Sequence, residues 1–190
     1  LPLLDRLAER LKAGLGAGDL LAALTLAASE RQLEARPELE GATSWAFVYL
    51  ATLADLGADG HAPEAWGQAA ALVNFFPADE EGRTRPRPAK GNLLDAILDG
   101  DAAEALYLAE AARRAGGEAT VLRILAEAAS ANDPVHNHGH PFLAVAAAVD
   151  LAPRLPEQAR SALLAAQTKA LATSQGSGEL GRLLDRALAA

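Results

Sequence analysis

Apolar residues recur along most of this chain at three- and four-residue spacing, and Gly, Pro and Asp interrupt the pattern at intervals that divide it into about ten helical segments. Leu3, Leu4, Leu7 and Leu11 share one helical face, which the glycine run from Gly14 to Gly18 ends. Asp19 is placed to cap a second helix carrying Leu20, Leu24, Ala27 and Ala28, stopped near Ala35 by Arg36-Pro37. Thr43 or Ser44 would cap a third, with Trp45, Val48, Tyr49, Thr52 and Leu56 turned inward. Pro63 suits the first position of a fourth helix, which faces inward with Trp66, Ala70, Val73 and Phe76 or their neighbours.

The pattern breaks over residues 77–90, where Arg83, Arg85, Arg87 and Lys90 interleave with Pro86 and Pro88; this reads as an extended, solvated connector. Helical spacing resumes from Leu93 to Leu98. Asp101 is placed to cap a helix carrying Ala105, Leu108, Ala109 and Ala112, which Gly116-Gly117 closes. Another helix runs from Glu118 to Ala131, with Val121, Leu122, Leu125 and Ala128 inward, and further helices cover His140 to Leu151, Pro156 to Thr173 and 179–190. At one constant offset, Trp45 to Leu56 aligns with His140 to Leu151, setting Phe47 on Phe142, Leu50 on Val145 and Asp55 on Asp150. The expectation is a single all-α domain of about ten helices in two similar halves, 1–76 and 91–173, forming a helical bundle or a short solenoid-like stack with 179–190 as a terminal helix.

Composition sharpens the fold reading. About a quarter of the residues are Ala and only 4% are aromatic, which suits closely approaching helices rather than sheets. Each contact then buries little area, so the core must be built from many Ala and Leu contacts at about 25 cal/mol per Å² of apolar surface. Null cysteine content excludes disulfides, Fe–S clusters, thiolate metal sites and a Cys nucleophile, leaving His, Asp and Glu as metal ligands. A net charge of −8 opposes approach to nucleic acid or an anionic membrane. No apolar run reaches the length of a membrane span, and Leu1 to Lys12 lacks the basic start and continuous apolar stretch of a signal peptide; the expectation is a soluble, cytoplasmic protein. The Leu start and the absence of Met suggest a processed N-terminus.

The candidate chemistry lies between Asp133 and Leu151. His136, His138 and His140, three of the four histidines, occupy alternate positions between Pro134 and Pro141. In an extended segment, residues two apart project to one side, so the three imidazoles would converge. They are candidate catalytic residues, as neutral imidazoles working in acid–base chemistry near pH 7. With Asp133, and His61 from the first half, they are also candidate ligands for a divalent metal, zinc or iron. The same spacing suits a polar loop whose histidines bond to backbone carbonyls. Trp45, Tyr49, Trp66, Phe142 and Asn137 are candidate substrate-binding residues, the aromatics also being suited to plugging a core of small side chains. The Gly14 to Gly18 run is not a phosphate loop, because it follows a helix and lacks the Lys-Ser/Thr of a P-loop. No Gly-x-Ser-x-Gly elbow is present.

Asn137-His138-Gly139-His140, followed by Phe142, Ala144, Ala147 and Leu151-Ala152, resembles the all-helical questin oxidase-like family, in which Asn-His-Gly stretches lead into an Ala/Leu helix. Ala46 to Leu56-Gly57-Ala58 is similar to the same helix, with Thr43-Ser44 where Asn-His would stand. The resemblance covers about a third of the chain and implies an all-α fold, histidines lining an internal cavity, and Baeyer–Villiger-type oxygenation of an aromatic polyketide-like substrate. Residue by residue, it reaches Asn137, His138 and His140.

Two functional classes follow. One is an oxidoreductase-like or small-molecule-binding protein that takes a small apolar or aromatic ligand in a His-lined cavity. The other is a non-catalytic helical interaction or scaffold protein, such as a homodimer, that presents an apolar face of its Ala/Leu helices.

Overall fold

Good helix formers broken by local stop signals give seven α-helices and one 3₁₀ turn among the residues described by the structure, a computed structural model: residues 9, 13–14, 16–35, 40–56, 63–75, 82–131 and 139–174. The helices are α1 (Ala17–Glu34), α2 (Glu40–Asp55), α3 (Pro63–Phe75), α4 (Leu93–Leu98), α5 (Ala102–Ala131), α6 (His140–Leu151) and α7 (Glu157–Ser174). No strand occurs among the described residues. The all-α expectation holds among the described residues, which contain seven of these helical elements where about ten were expected over the whole chain. Two expected helices meet within α5 at Gly117, whose backbone (φ 78°, ψ 176°) is not helical, so the expected break falls where Gly116-Gly117 stands. The expected terminal helix, 179–190, lies outside the described residues, as does nearly all of the first. Of that first helix, Ala13 donates its amide to the Glu9 carbonyl at 2.9 Å, and Gly14 follows with φ 90°.

Local signals set several helix starts, and of these Asp101 acts as read. Asn92 caps α4, its side chain accepting from the Asp95 amide at 2.9 Å. Asp101 caps α5 in the same way, accepting from the Glu104 amide at 3.0 Å. Gly139 adopts the left-handed conformation (φ 75°) that turns the chain into α6. Other signals are overridden. Helix α1 begins at Ala17, before Asp19, with Gly16 as its cap residue, so Asp19 lies in the first turn, where its charge suits the helix dipole. Helix α2 begins at Glu40, so Ser44 is a buried residue inside it rather than a cap.

Two apolar clusters share α6 and α7. The first joins Leu20 and Leu21 of α1, Phe47 and Leu50 of α2 and Trp66 of α3 to Leu151 and Leu163. The second joins Leu93 and Ile97 of α4 and Val121 and Leu125 of α5 to Val145 and Leu171. Helix α7 packs chiefly on α5 and α1, and α6 on α2. Ion pairs stitch the kink of α5 to the start of α7: Arg160 lies 3.0 Å from Glu118, and Arg113 lies 3.6 Å from Glu157.

The inward face of α2 differs from the expected stripe. Ala46, Phe47, Leu50, Ala51 and Leu53 are buried, whereas Trp45, Thr52 and Leu56 are exposed. Nearly every residue of this helix is apolar, so its periodicity names no single face, and packing against α6 selects one.

The Arg/Pro connector is anchored rather than simply solvated. A Cβ on Gly82 would lie 2.3 Å from the Glu34 carbonyl oxygen, so this position packs directly on the end of α1. At the other end, the Arg87 amide donates to the Ala103 carbonyl at 2.9 Å, and its guanidinium reaches Asp101 at 2.5 Å and Glu104 at 3.1 Å. Residues 83–86 thus form a strap between α1 and α5.

Candidate functional site

The parallel packing of α2 and α6 positions the described part of the candidate site. Trp45, near the start of α2, meets His140, the first residue of α6, edge to face, with ring centroids 5.5 Å apart and planes at 69°. At the other end, Asp55 closes α2 and pairs with Arg154, just beyond α6. The two helices therefore run side by side in the same direction, their starts together. Gly139 sets the left-handed entry and Pro141 occupies the first turn, so the chain reaches His140 at a fixed angle.

His140 is half-buried against Trp45, which is 45% exposed. This contact combines a broad indole surface with an imidazole able to donate or accept a hydrogen bond. The remaining sequence candidates divide sharply. Tyr49 lies one helical turn along α2 from Trp45, and its hydroxyl donates to Gln68 Oε1 of α3 at 2.8 Å. Trp66 is 1% exposed and belongs to the first apolar cluster, where it plugs a core of small side chains. Phe142 is 56% exposed, and two residues along a helix is a rotation of roughly 200°, so it projects away from His140. His136, His138, Asn137, Asp133 and His61 lie outside the described residues. Among the described residues no three His, Asp or Glu side chains gather to hold a metal ion.

Sequence reasoning missed a polar seam between α1 and α7. Thr25, Ser29 and Gln32 are buried on one face of α1, and Gln167, Thr168 and Lys169 are buried on α7. Lys169 Nζ donates to the carbonyls of Gln32, at 3.1 Å, and Ala35, at 2.6 Å, at the C-terminal end of α1. Those are the carbonyls that a helix leaves without intrahelical donors, at the negative end of its dipole. Thr25 Oγ1 and Gln167 Nε2 are buried without a hydrogen-bond partner among the described residues. The available signal was the cluster of Gln, Thr and Lys inside an otherwise Ala/Leu-rich helix.

Among the described residues, no helix is long and apolar enough to cross a membrane. Compared with known proteins, the sequence matches no protein-family model, no curated protein and no solved structure.

Proposed function

We propose that this chain is a small-molecule-binding helical protein whose site is built around the start of α6 and takes a small apolar or aromatic ligand. The observation that supports this reading is the Trp45–His140 contact, which sets a half-exposed indole against an imidazole in a chain otherwise dominated by Ala and Leu. A planar ligand stacks on the indole beside the imidazole. Asn137, His138 and His136 immediately precede this point in the sequence and are assigned to the same site on that ground alone. The resemblance to the questin oxidase-like family adds an oxidoreductase-like activity, with His138 and His140 in acid–base roles. A divalent metal, iron or zinc, belongs to the same reading, with His136, His138, His140, Asp133 and His61 as its ligands and polarisation of a bound oxygen atom as its contribution. Two related halves are consistent with α2 and α6 lying side by side at equivalent positions of the alignment.

The test is a titration of the protein with a planar aromatic ketone, read by tryptophan emission, alongside elemental analysis. Quenching that disappears in Trp45→Phe and weakens in His140→Ala supports the site. Equal quenching in both folded variants removes it. Near-stoichiometric iron or zinc that vanishes when His136, His138 and His140 are all replaced by Ala supports the metal ligands.

A second reading, an interaction or scaffold protein, draws on the outer face of α6, where Phe142, Leu143 and Val149 are exposed. A homodimer through this face would dissociate in Phe142→Asp, and sedimentation of both proteins measures that directly.

A further inference from the structure

We propose that the groove beneath the 83–86 strap is a second binding site, for a small zwitterion with an apolar body, such as a short peptide of apolar residues with free ends. The groove holds about 460 Å³, within the usual range for small-molecule sites. It exists because the connector is pinned at Gly82 and Arg87 but spans the intervening distance as an extended strap. Its apolar lining comes from Leu33 of α1, Leu106 of α5 and Ala165 of α7, and the small side chain of Ala165 leaves room that a larger residue would fill.

The charges around this lining select the ligand. Arg83 and Glu34 pair with each other at 3.7 Å and offset one another. Arg85 and Glu30 also line the groove, yet neither forms an ion pair with any described residue. Among the described residues, one cation and one anion without an ion-pair partner thus border a single apolar cleft. A ligand carboxylate meets the guanidinium of Arg85 through charge-assisted hydrogen bonds, its ammonium meets Glu30, and its apolar side chains rest on Leu33 and Leu106. A phosphate dianion is disfavoured by the two glutamates and by the net charge of −8. A simple fatty acid or alkylamine satisfies one of the two charges and leaves the other without a partner.

The experiment is calorimetric titration of the full chain with dileucine, octanoate and octylamine, which carry comparable apolar bulk with different charges. Dileucine is expected to bind at least about tenfold more tightly than either, a difference of roughly 1.4 kcal/mol. Arg85→Gln and Glu30→Gln alter exposed side chains and should each weaken dileucine by about tenfold while leaving thermal unfolding unchanged. Ala165→Leu should abolish binding by filling the groove. Absence of dileucine binding to the unaltered protein overturns the proposal, as does octanoate binding equally well or full affinity in both charge variants. Loss of ketone quenching at Trp45 has no bearing on these titrations, so the two sites fail separately.

Discussion

The ammonium of Lys169 lies 2.6 Å from the carbonyl oxygen of Ala35, to which it donates a hydrogen bond in the interior of the protein. A buried charge is costly unless its donors are satisfied, and here they meet the carbonyl-rich end of α1. The same residue that carries the charge thereby ties α7 to α1. Lys169→Met keeps most of the apolar stem but withdraws the donor from Ala35 and Gln32, and should destabilise the fold by about 1–3 kcal/mol. Urea unfolding measures this; an unchanged midpoint would mean that the ammonium contributes nothing net.

The two tryptophans should separate in their effects. Trp66 fills the first cluster, so Trp66→Ala should cost about 3–5 kcal/mol through the cavity it leaves. Trp45 touches His140 at the surface, and Trp45→Ala should cost less than about 1.5 kcal/mol. Equal losses in paired urea melts would contradict the assignment of Trp66 to the core and Trp45 to the site.

Gly82 has no room for a side chain. Gly82→Ala must push the strap away from the Glu34 and Ala35 carbonyls, at a cost of about 1–3 kcal/mol. Trypsin reports the result, because Arg83-Thr84 and Lys90-Gly91 are its cleavable bonds in this segment, whereas Arg85 and Arg87 precede proline. Faster cleavage after Arg83 is expected in the variant; an unchanged rate would show that the anchor does not hold the strap.

Low pH should weaken the α5 surface network in a defined window. Arg113 holds the Glu110 carboxyl down from 4.5 to about 2 by a hydrogen bond, against the opposing effect of burial, with Arg114 assisting. Because the folded value is the lower one, this contribution is complete above 4.5 and fades as pH falls toward 2. Glu110 is partly exposed, so the amount is under about 1 kcal/mol. Urea melts between pH 5 and 2.5 should show a shallower decline in Glu110→Gln than in the parent; parallel curves would rule out the coupling.

Local signals made much of the secondary structure legible. Leu93–Leu98 and His140–Leu151 carry the bounds read from the residues, because caps and left-handed glycines act within a turn of where they stand. Gly117 was legible as a break and is one, its backbone being non-helical; that charged pairs bind both sides of the break to α7 was not legible, because those partners are distant in sequence. The candidate site was legible as a set of residue types. Its geometry was not, because Trp45 and His140 meet only through the parallel packing of α2 and α6, while Phe142 is carried to the opposite side of its own helix.

By itself, the sequence determined an all-helical chain and the positions of most helix stops, both of which depend on interactions between residues a few positions apart. Tertiary structure alone decided which face of α2 is buried, that Lys169 caps a distant helix, and that the Arg/Pro connector straps a groove. Ala and Leu faces are nearly equivalent in energy when taken one helix at a time, so the choice among them rests on the summed packing of all the helices together.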